Sequence, residues 1–311
     1  MPITDQSVLV TGGAGFIGSY LSSQFSANSN LTVIDDFSVG DASSVPDDAR
    51  LIKEDVSNRK AILNCIADVD VIFHLAGLVS VSQSIQSPYA SHTNNATGTV
   101  NILDAAREYS SRVVVASSAA IYGHPEYVPI DEEHPHNPTS PYGLDKLATD
   151  YYTCLYAKLY DLETVALRYF NVYGPGQTGG DYAGVIPTFI DRALSGKDMI
   201  VHGDGEQTRD FVYVEDVSHA NILAAKTATV GEAYNVATGD SISVRELAEM
   251  IHEMTDSSSD IVHTKSRSGD IEHSVADISK AAADLDYEPS ITLQEGLEQT
   301  IKWWQNRNPR V

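Results

Sequence analysis

Tyr142 and Lys146 stand four residues apart in the run Ser140-Pro141-Tyr142-Gly143-Leu144-Asp145-Lys146, which opens a helix-length segment reaching Tyr160. On a helix that spacing puts a phenol and an ammonium on one face, one turn apart. A phenol titrating near 10 is a poor base at neutral pH, but a fixed cation beside it favours the phenolate, so the pair is a candidate general base. Tyr-x-x-x-Lys is common on helix surfaces, and its meaning depends on what gathers around it. Ser117-Ser118 closes the apolar run Val113 to Ala116. That is the strand end where α/β sheets place ligands, so Ser118 is a candidate to hydrogen-bond a reacting oxygen.

What such a base would work on is indicated near the start of the chain. Thr11-Gly12-Gly13-Ala14-Gly15-Phe16-Ile17-Gly18 follows the apolar run Val8-Leu9-Val10 and leads into a helical segment ending near Phe25. Gly12, Gly15 and Gly18 let the backbone turn tightly and approach a pyrophosphate, which the amides opening the helix, at Phe16 and Ile17, can meet. Asp35 closes the next apolar run, Leu31 to Ile34. An acid about twenty residues beyond the glycines binds adenosine ribose hydroxyls and repels the extra phosphate of NADP, so NAD is the predicted cofactor. Asp55 and Val56, after a third run, are candidate adenine contacts, with a turn as the competing role for Asp55. A positive nicotinamide ring acting with Lys146 would lower the Tyr142 phenol by roughly 3 units, about 4 kcal/mol.

These residues need a scaffold that brings strand ends together. Short β-branched runs at Val8–Val10, Leu31–Ile34, Val71–Leu75, Val113–Ala116 and Thr164–Leu167 alternate with helix-length segments such as Thr97–Tyr109. The pattern predicts an α/β fold, a Rossmann-type doubly wound parallel sheet with a smaller C-terminal α/β substrate region. The predicted division is 1–170 for the NAD-binding part and 171–311 mainly for the substrate. Within 211–237, Phe211–Val214 and Ala233–Val236 are expected to return to the main sheet.

Composition excludes several classes. Asp and Glu number 43 against 20 Lys and Arg, a formal charge of −23, which repels nucleic-acid phosphates and suits solubility in concentrated salt. No apolar run reaches the roughly 18 residues that span a bilayer, and the opening residues lack a basic and apolar leader, so a cytoplasmic protein with no membrane partner is expected. Cys65 and Cys154 are the only cysteines and are expected to pack rather than pair. His134-Pro135-His136 sits in a Pro-rich stretch without a metal-ligand pattern, and no metal is predicted.

In order along the chain, Thr11–Gly18, His74-Leu75-Ala76-Gly77, Asn94-Asn95, Ser117–Gly123, Tyr142 with Lys146, Leu167-Arg168-Tyr169-Phe170-Asn171, Thr208-Arg209-Asp210-Phe211 and Arg267-Ser268-Gly269-Asp270 resemble the extended short-chain dehydrogenase/reductase family. Within it the match is to NAD-dependent sugar-nucleotide epimerases of the UDP-glucose 4-epimerase type, over nearly the whole chain. The resemblance implies further cofactor contacts at Leu75, Ala76, Gly77, Asn94 and Tyr169. It also implies a substrate diphosphate held by Asn171 and clamped by Arg209 and Arg267, and a homodimer built on the Tyr-rich helix through Tyr151, Tyr152, Tyr156 and Tyr160.

The reaction the resemblance implies is C4 epimerisation of a UDP-hexose through a transient 4-keto sugar, with Tyr142 as base. Dehydratases and decarboxylases of the family carry acids after the catalytic hydroxyl residue; this chain has Ala119 and Ala120 there. The alternatives are a UDP-glucuronate 4-epimerase, a dehydratase or decarboxylase of the same family, or an NAD-sensing regulatory protein. The chain departs from such epimerases at Val79, where one carries a Lys. At Ser274, a position that gates the sugar pocket, a small residue leaves room for an N-acetyl group, and Tyr182-Ala183-Gly184-Val185-Ile186-Pro187 is similar to epimerases that accept N-acetylated sugars.

Overall fold

The structure, a computed structural model, describes residues 6–25, 30–177, 184–266 and 269–307. Its first part alternates strand and helix: β1 (Ser7–Thr11), α1 (Phe16–Ser23), β2 (Asn30–Asp35), β3 (Arg50–Lys53), α2 (Arg59–Cys65), β4 (Val71–His74), α3 (Val81–Gln86), α4 (Pro88–His92), α5 (Gly98–Tyr109), β5 (Arg112–Ser118), α6 (Pro141–Tyr160) and β6 (Thr164–Tyr169). A π-helical turn, Thr93–Thr97, joins α4 to α5. The second part holds β7 (Asn171–Tyr173), α7 (Val185–Leu194), β8 (Met199–His202), β9 (Thr208–Arg209), β10 (Phe211–Tyr213), α8 (Val214–Ala224), β11 (Glu232–Val236), β12 (Ile242–Ser243), α9 (Val244–Thr255), β13 (Ile261–Thr264), α10 (Ser279–Leu285) and α11 (Leu293–Arg307).

Seven parallel strands form the central sheet in the order β11-β6-β5-β4-β1-β2-β3. Alternation within β1 feeds two cores: Val8 and Val10 pack on one face with Val33, Phe73 and Val114, while Leu9 packs on the other with Ile34, Ile72 and Ile102. Both faces are covered by helices, so the strands read as continuous apolar runs. The order reverses between β1 and β4, and the crevice beyond their carboxyl ends is where such sheets bind ligands. A separate apolar cluster, with Phe189, Ile190, Leu247, Ile251, Leu297 and Trp304, ties α7, α9 and α11 together in the second part.

Two expected strands part company. Glu232–Val236 pairs with β6 at the edge of the central sheet, but Phe211–Tyr213 pairs only with Asn171–Tyr173, in a small two-stranded sheet. Val214, expected as strand, instead begins α8. The apolar pattern of a strand reports burial, not which sheet buries it.

Helix α6 carries the Tyr-Lys pair, and its placement is set at both ends. Ser140 caps it by accepting from the Gly143 amide at 3.1 Å, and Pro141 occupies the first turn where no amide donor is needed. Midway, Asp150 meets Arg168 of β6 through two hydrogen bonds of 2.9 Å, both side chains buried. Arg168 also donates to Tyr122 Oη and to the Glu132 carbonyl, each at 2.9 Å, so one guanidinium fixes helix, sheet and the segment after β5. Among the described residues no helix is long and apolar enough to cross a membrane. Replacing Asp150 by Ala strands the buried guanidinium and is expected to destabilise the protein by about 3–5 kcal/mol. Chemical denaturation measures it, and a loss under about 1 kcal/mol would reduce the pair to the worth of a surface one.

Candidate active site

The glycine turn leaves β1 at the crevice. Gly12 has φ +69°, and a Cβ there would lie 2.7 Å from the Ala76 nitrogen, so the turn after β1 and the loop after β4 touch backbone to backbone. A Cβ on Gly18 would run into the Gly12 carbonyl oxygen. Gly15 precedes α1 in extended conformation and lends no side-chain cap, leaving the amides of Phe16, Ile17 and Gly18 without an intrahelical acceptor. A backbone cradle that only glycine permits, opening on uncapped amides, fits a dinucleotide pyrophosphate. Asp35, buried at the end of β2, accepts from the Ala14 amide at 3.0 Å and the Phe37 amide at 2.8 Å, which fixes its carboxylate over the turn. Its neighbour Asp36 only closes a local turn onto Ser38.

Asp55 likewise accepts from the Ser57 amide at 2.7 Å, the turn role, while Val56 is buried with its carbonyl bonded to Asn101 Nδ2 at 3.0 Å. Leu75 and Ala76 are anchored through their amides to Thr11, at 3.1 Å to its carbonyl and 3.3 Å to its hydroxyl. A Cβ at Gly77 would sit 2.5 Å from Asn95 Oδ1 and 3.6 Å from Lys146 Nζ. Asn95 therefore faces the loop after β4. Asn94 donates to the Ala90 carbonyl of its own helix at 3.0 Å, whereas Asn95 is buried with Oδ1 lacking a partner. The π-helical turn decides which of the two adjacent asparagines points inward, and the sequence carries no sign of it.

The catalytic candidates converge at the end of β5. A Cβ at Gly143 would lie 2.7 Å from the Ala120 carbonyl oxygen, so glycine lets the first turn of α6 settle on the turn after Ser118. The Tyr142 phenol then comes beside the Ser118 hydroxyl, and its amide donates to Ser84 Oγ at 3.1 Å. Ser118 Oγ also accepts from the Ala120 amide at 3.2 Å. Lys146 reaches under the sheet end, buried, with Nζ 2.8 Å from the Ala116 carbonyl oxygen.

Burial pushes the Tyr142 phenol above its ordinary value, and the Ser118 hydroxyl pulls it down. Lys146 donates to the Ala116 carbonyl and is itself pushed down to about 8 by burial, against a pull upward from Asp145. His74, sandwiched between Thr11 Oγ1 at 2.8 Å and Thr99 Oγ1 at 3.1 Å, is driven to about 3 by burial and then by Lys146, so it is a neutral strut.

On the substrate side, the β7–β10 pairing sets Asn171 opposite Phe211, and Asn171 Nδ2 donates to the Asp210 carbonyl at 2.8 Å. Arg209 is held by Asp270 at 2.6 Å and by its own neighbour Thr208, and it lines a cavity of about 310 Å³ with Phe211, Asp240 and Ile242. Asp210, given no role of its own in the Thr208–Phe211 run, is buried and gathers the amides of Thr238, Gly239 and Ala276, which ties its own turn to two other loops. Ser274 is buried, its amide 3.2 Å from the Thr208 carbonyl oxygen, beside Arg209. Tyr169 turns its hydroxyl away to Asn221 on α8 at 3.0 Å. That leaves backbone and ring, not a phenol, at the sheet end. Val79 is exposed. Arg267, and with it Tyr182 and Ala183, lie outside the described residues. His134 accepts from the Glu126 amide and His136 meets Tyr151, and among the described residues no group of three His, Cys, Asp or Glu is arranged to hold a metal ion.

Known proteins are similar to this chain in sequence and in fold. Residues 8–237 match the NAD dependent epimerase/dehydratase family. A UDP-glucose 4-epimerase of Mycolicibacterium smegmatis is 36% identical over 310 residues, covering 96% of this chain and 99% of its own. A UDP-N-acetyl-alpha-D-glucosaminuronate decarboxylase of Bacillus cytotoxicus is 34% identical over 312 residues, covering 95% and 97%. Among solved structures, the UDP-N-acetylglucosamine 4-epimerase from Methanobrevibacter ruminantium M1, in complex with UDP-N-acetylmuramic acid, superposes with a TM-score of 0.94 at 36% identity over 98% of this chain and 100% of that one. With the glycine cradle, the seven-stranded parallel sheet and the family match in agreement, the chain belongs to the NAD-dependent epimerase/dehydratase family and is an enzyme of it.

Proposed function

We propose that this enzyme inverts C4 of a UDP-hexose, with Tyr142 as base, Ser118 orienting the reacting hydroxyl and Lys146 holding positive charge beneath them. The observation that carries the reading is the Tyr142 phenol set against the Ser118 hydroxyl at the end of β5, followed by Ala119 and Ala120, which put no carboxyl group there to expel water. Gly12, Gly15, Phe16, Ile17 and Gly18 would hold the pyrophosphate of NAD, Asp35 its ribose, and Leu75, Ala76, Gly77 and Asn94 the nicotinamide end, with Asn95 packed beside Gly77. When bound, NAD supplies a hydride acceptor that later returns the hydride to the opposite face of the sugar. Tyr142 takes the C4 hydroxyl proton as the hydride leaves and gives it back on return. Asn171, Arg209 and Arg267 keep the diphosphate in place while the sugar turns. The division of labour is 1–170 with β11 for the cofactor and 171–311 mainly for the sugar nucleotide.

A small buried Ser274 beside Arg209 favours N-acetylhexosamine tolerance, in keeping with the epimerase from Methanobrevibacter ruminantium. Offered UDP-glucose, UDP-N-acetylglucosamine and UDP-glucuronate separately in concentrated salt, the enzyme is expected to form the C4 epimer of the first two, seen by NMR. A product of changed mass would instead place it with the decarboxylases or dehydratases. Tyr142→Phe should keep NAD and lose at least about 100-fold in kcat, whereas Gly18→Ala should purify without NAD because its methyl group meets the Gly12 carbonyl. Full turnover by the Phe variant would remove Tyr142 from its role.

The outer side of α6 exposes Leu144, Tyr151, Tyr152, Leu155 and Leu159, an apolar stripe that supports a homodimer through this helix. Leu155→Glu with Leu159→Glu should convert the dimer to a monomer in analytical ultracentrifugation; a wild-type monomer at micromolar concentration would count against the assembly.

A further inference from the structure

Asp210 lies between Arg209 and Phe211, is fully buried, and enters no ion pair among the described residues. Its carboxylate is answered instead by four neutral donors. Oδ1 accepts from the Thr238 amide at 2.9 Å and the Thr238 hydroxyl at 2.7 Å. Oδ2 accepts from the amides of Gly239 at 3.0 Å and Ala276 at 3.2 Å. The Asp210 carbonyl oxygen is used as well, by the Asn171 amide at 3.2 Å and by Asn171 Nδ2 at 2.8 Å. Taking a carboxylate out of water is costly unless it is well hydrogen-bonded, and here both ends of one residue are met by groups that surround the diphosphate candidates.

These bonds join the two halves of the chain. Thr238 and Gly239 follow β11, the edge strand of the central sheet, and Asn171 opens β7 just after β6. Ala276 bridges to Ile130, in the segment leading from β5 to α6, and lies two residues beyond Ser274, whose amide is bonded to the Thr208 carbonyl. Arg209 is thus held between two tethered neighbours, Thr208 and Asp210. An Nδ2 group carries two hydrogens, so Asn171 gives one to Asp210 and keeps one for a ligand.

We propose that Asp210 is a positioning residue for the sugar nucleotide: its carboxylate fixes the Arg209 backbone and Asn171 against the end of the central sheet, and so sets where the diphosphate lies relative to Tyr142. The inference rests on the proposed role of Arg209 and Asn171 as diphosphate contacts. The diphosphate does not change in the reaction, so a frame that holds it acts equally on the ground state and the transition state and shows in KM, not in kcat. Asparagine has the same size but cannot replace the carboxylate. Its amide oxygen serves one pair of donors while its NH2 group faces the other pair, whichever way the amide is turned. Asp210→Asn therefore loses either the Thr238 pair or the Gly239 and Ala276 pair.

The test is binding of UDP to the NAD-loaded protein by calorimetry, beside kcat and KM for UDP-glucose. Asp210→Asn should weaken UDP binding and raise KM by about 10-fold or more, with NAD retained and kcat within a few-fold. Ile66→Ala, a core truncation at the end of α2, should lower the thermal midpoint and leave UDP affinity and KM in place. Should the Asn variant fail to fold, Thr238→Val removes only the hydroxyl donor and must raise KM in the same direction. Wild-type UDP affinity and KM in the Asn variant, or in the Val variant standing in for it, overturns the proposal, as does a rise in KM matched by Ile66→Ala. Arg209→Met separates the two readings. If it binds UDP as wild type does, the diphosphate role of Arg209 is wrong and the proposal falls with it; weak binding by the Met variant beside an unaffected Asn variant removes only Asp210.

Discussion

One buried ammonium organises the sheet end. In a chain where acids outnumber bases 43 to 20, Lys146 is taken out of water and set against the Ala116 carbonyl oxygen at 2.8 Å. Desolvating a charge costs several kcal/mol unless its surroundings answer it, so the neighbours are constrained together. The β4 histidine must be neutral and have both ring nitrogens occupied, which Thr11 and Thr99 provide. The loop after β4 must carry no side chain at Gly77, because Asn95 and Lys146 already fill that space. Strands β1, β4 and β5 and helices α5 and α6 thereby meet at one point, with Tyr142 a single helical turn away.

Precision at that point comes from backbone meeting backbone. Gly12 against Ala76, and Gly143 against Ala120, are contacts that even a methyl group would forbid. Peptide groups have no rotamers to lose, so a site built on them starts close to its working geometry. Ser140 and Ser84 extend the same logic, each accepting an amide in the first turn of α6 and fixing how far the helix can roll.

Local features of this design could be read from the chain and long-range ones could not. Gly12, Gly15 and Gly18 with Asp35 are legible because a strand, a turn and a helix lie within about thirty residues, and the turn chemistry is written in the glycines. The Tyr142–Lys146 spacing is legible because helical periodicity fixes it. That Asn95 is the more deeply buried of two adjacent asparagines depends on a π-helical turn, which residue types alone do not reveal. Phe211–Tyr213 has the pattern of a buried strand but pairs with β7 outside the main sheet, because apolar alternation reveals burial and not partners. Asp145 and Asp210 look like surface acids in an acidic chain; only the fold shows that α4 buries the first and that two loops converge on the second.

That acidity also shapes how the enzyme can meet anions. With a formal charge of −23, the mean field repels a dinucleotide and any nucleotide sugar, so attraction has to be local and aimed. On the cofactor side, neutral peptide amides at the start of α1 do this without a cation. On the other side Arg209 is present but already paired with Asp270 at 2.6 Å. A guanidinium held this way is oriented before a ligand arrives, and its attraction for stray phosphate is cancelled. Net attraction then requires a ligand whose oxygens reach the donors Asp270 leaves free, a condition set by shape as much as by charge. In this acidic chain, therefore, Asp270 leaves Arg209 able to attract only a ligand shaped to reach its remaining donors.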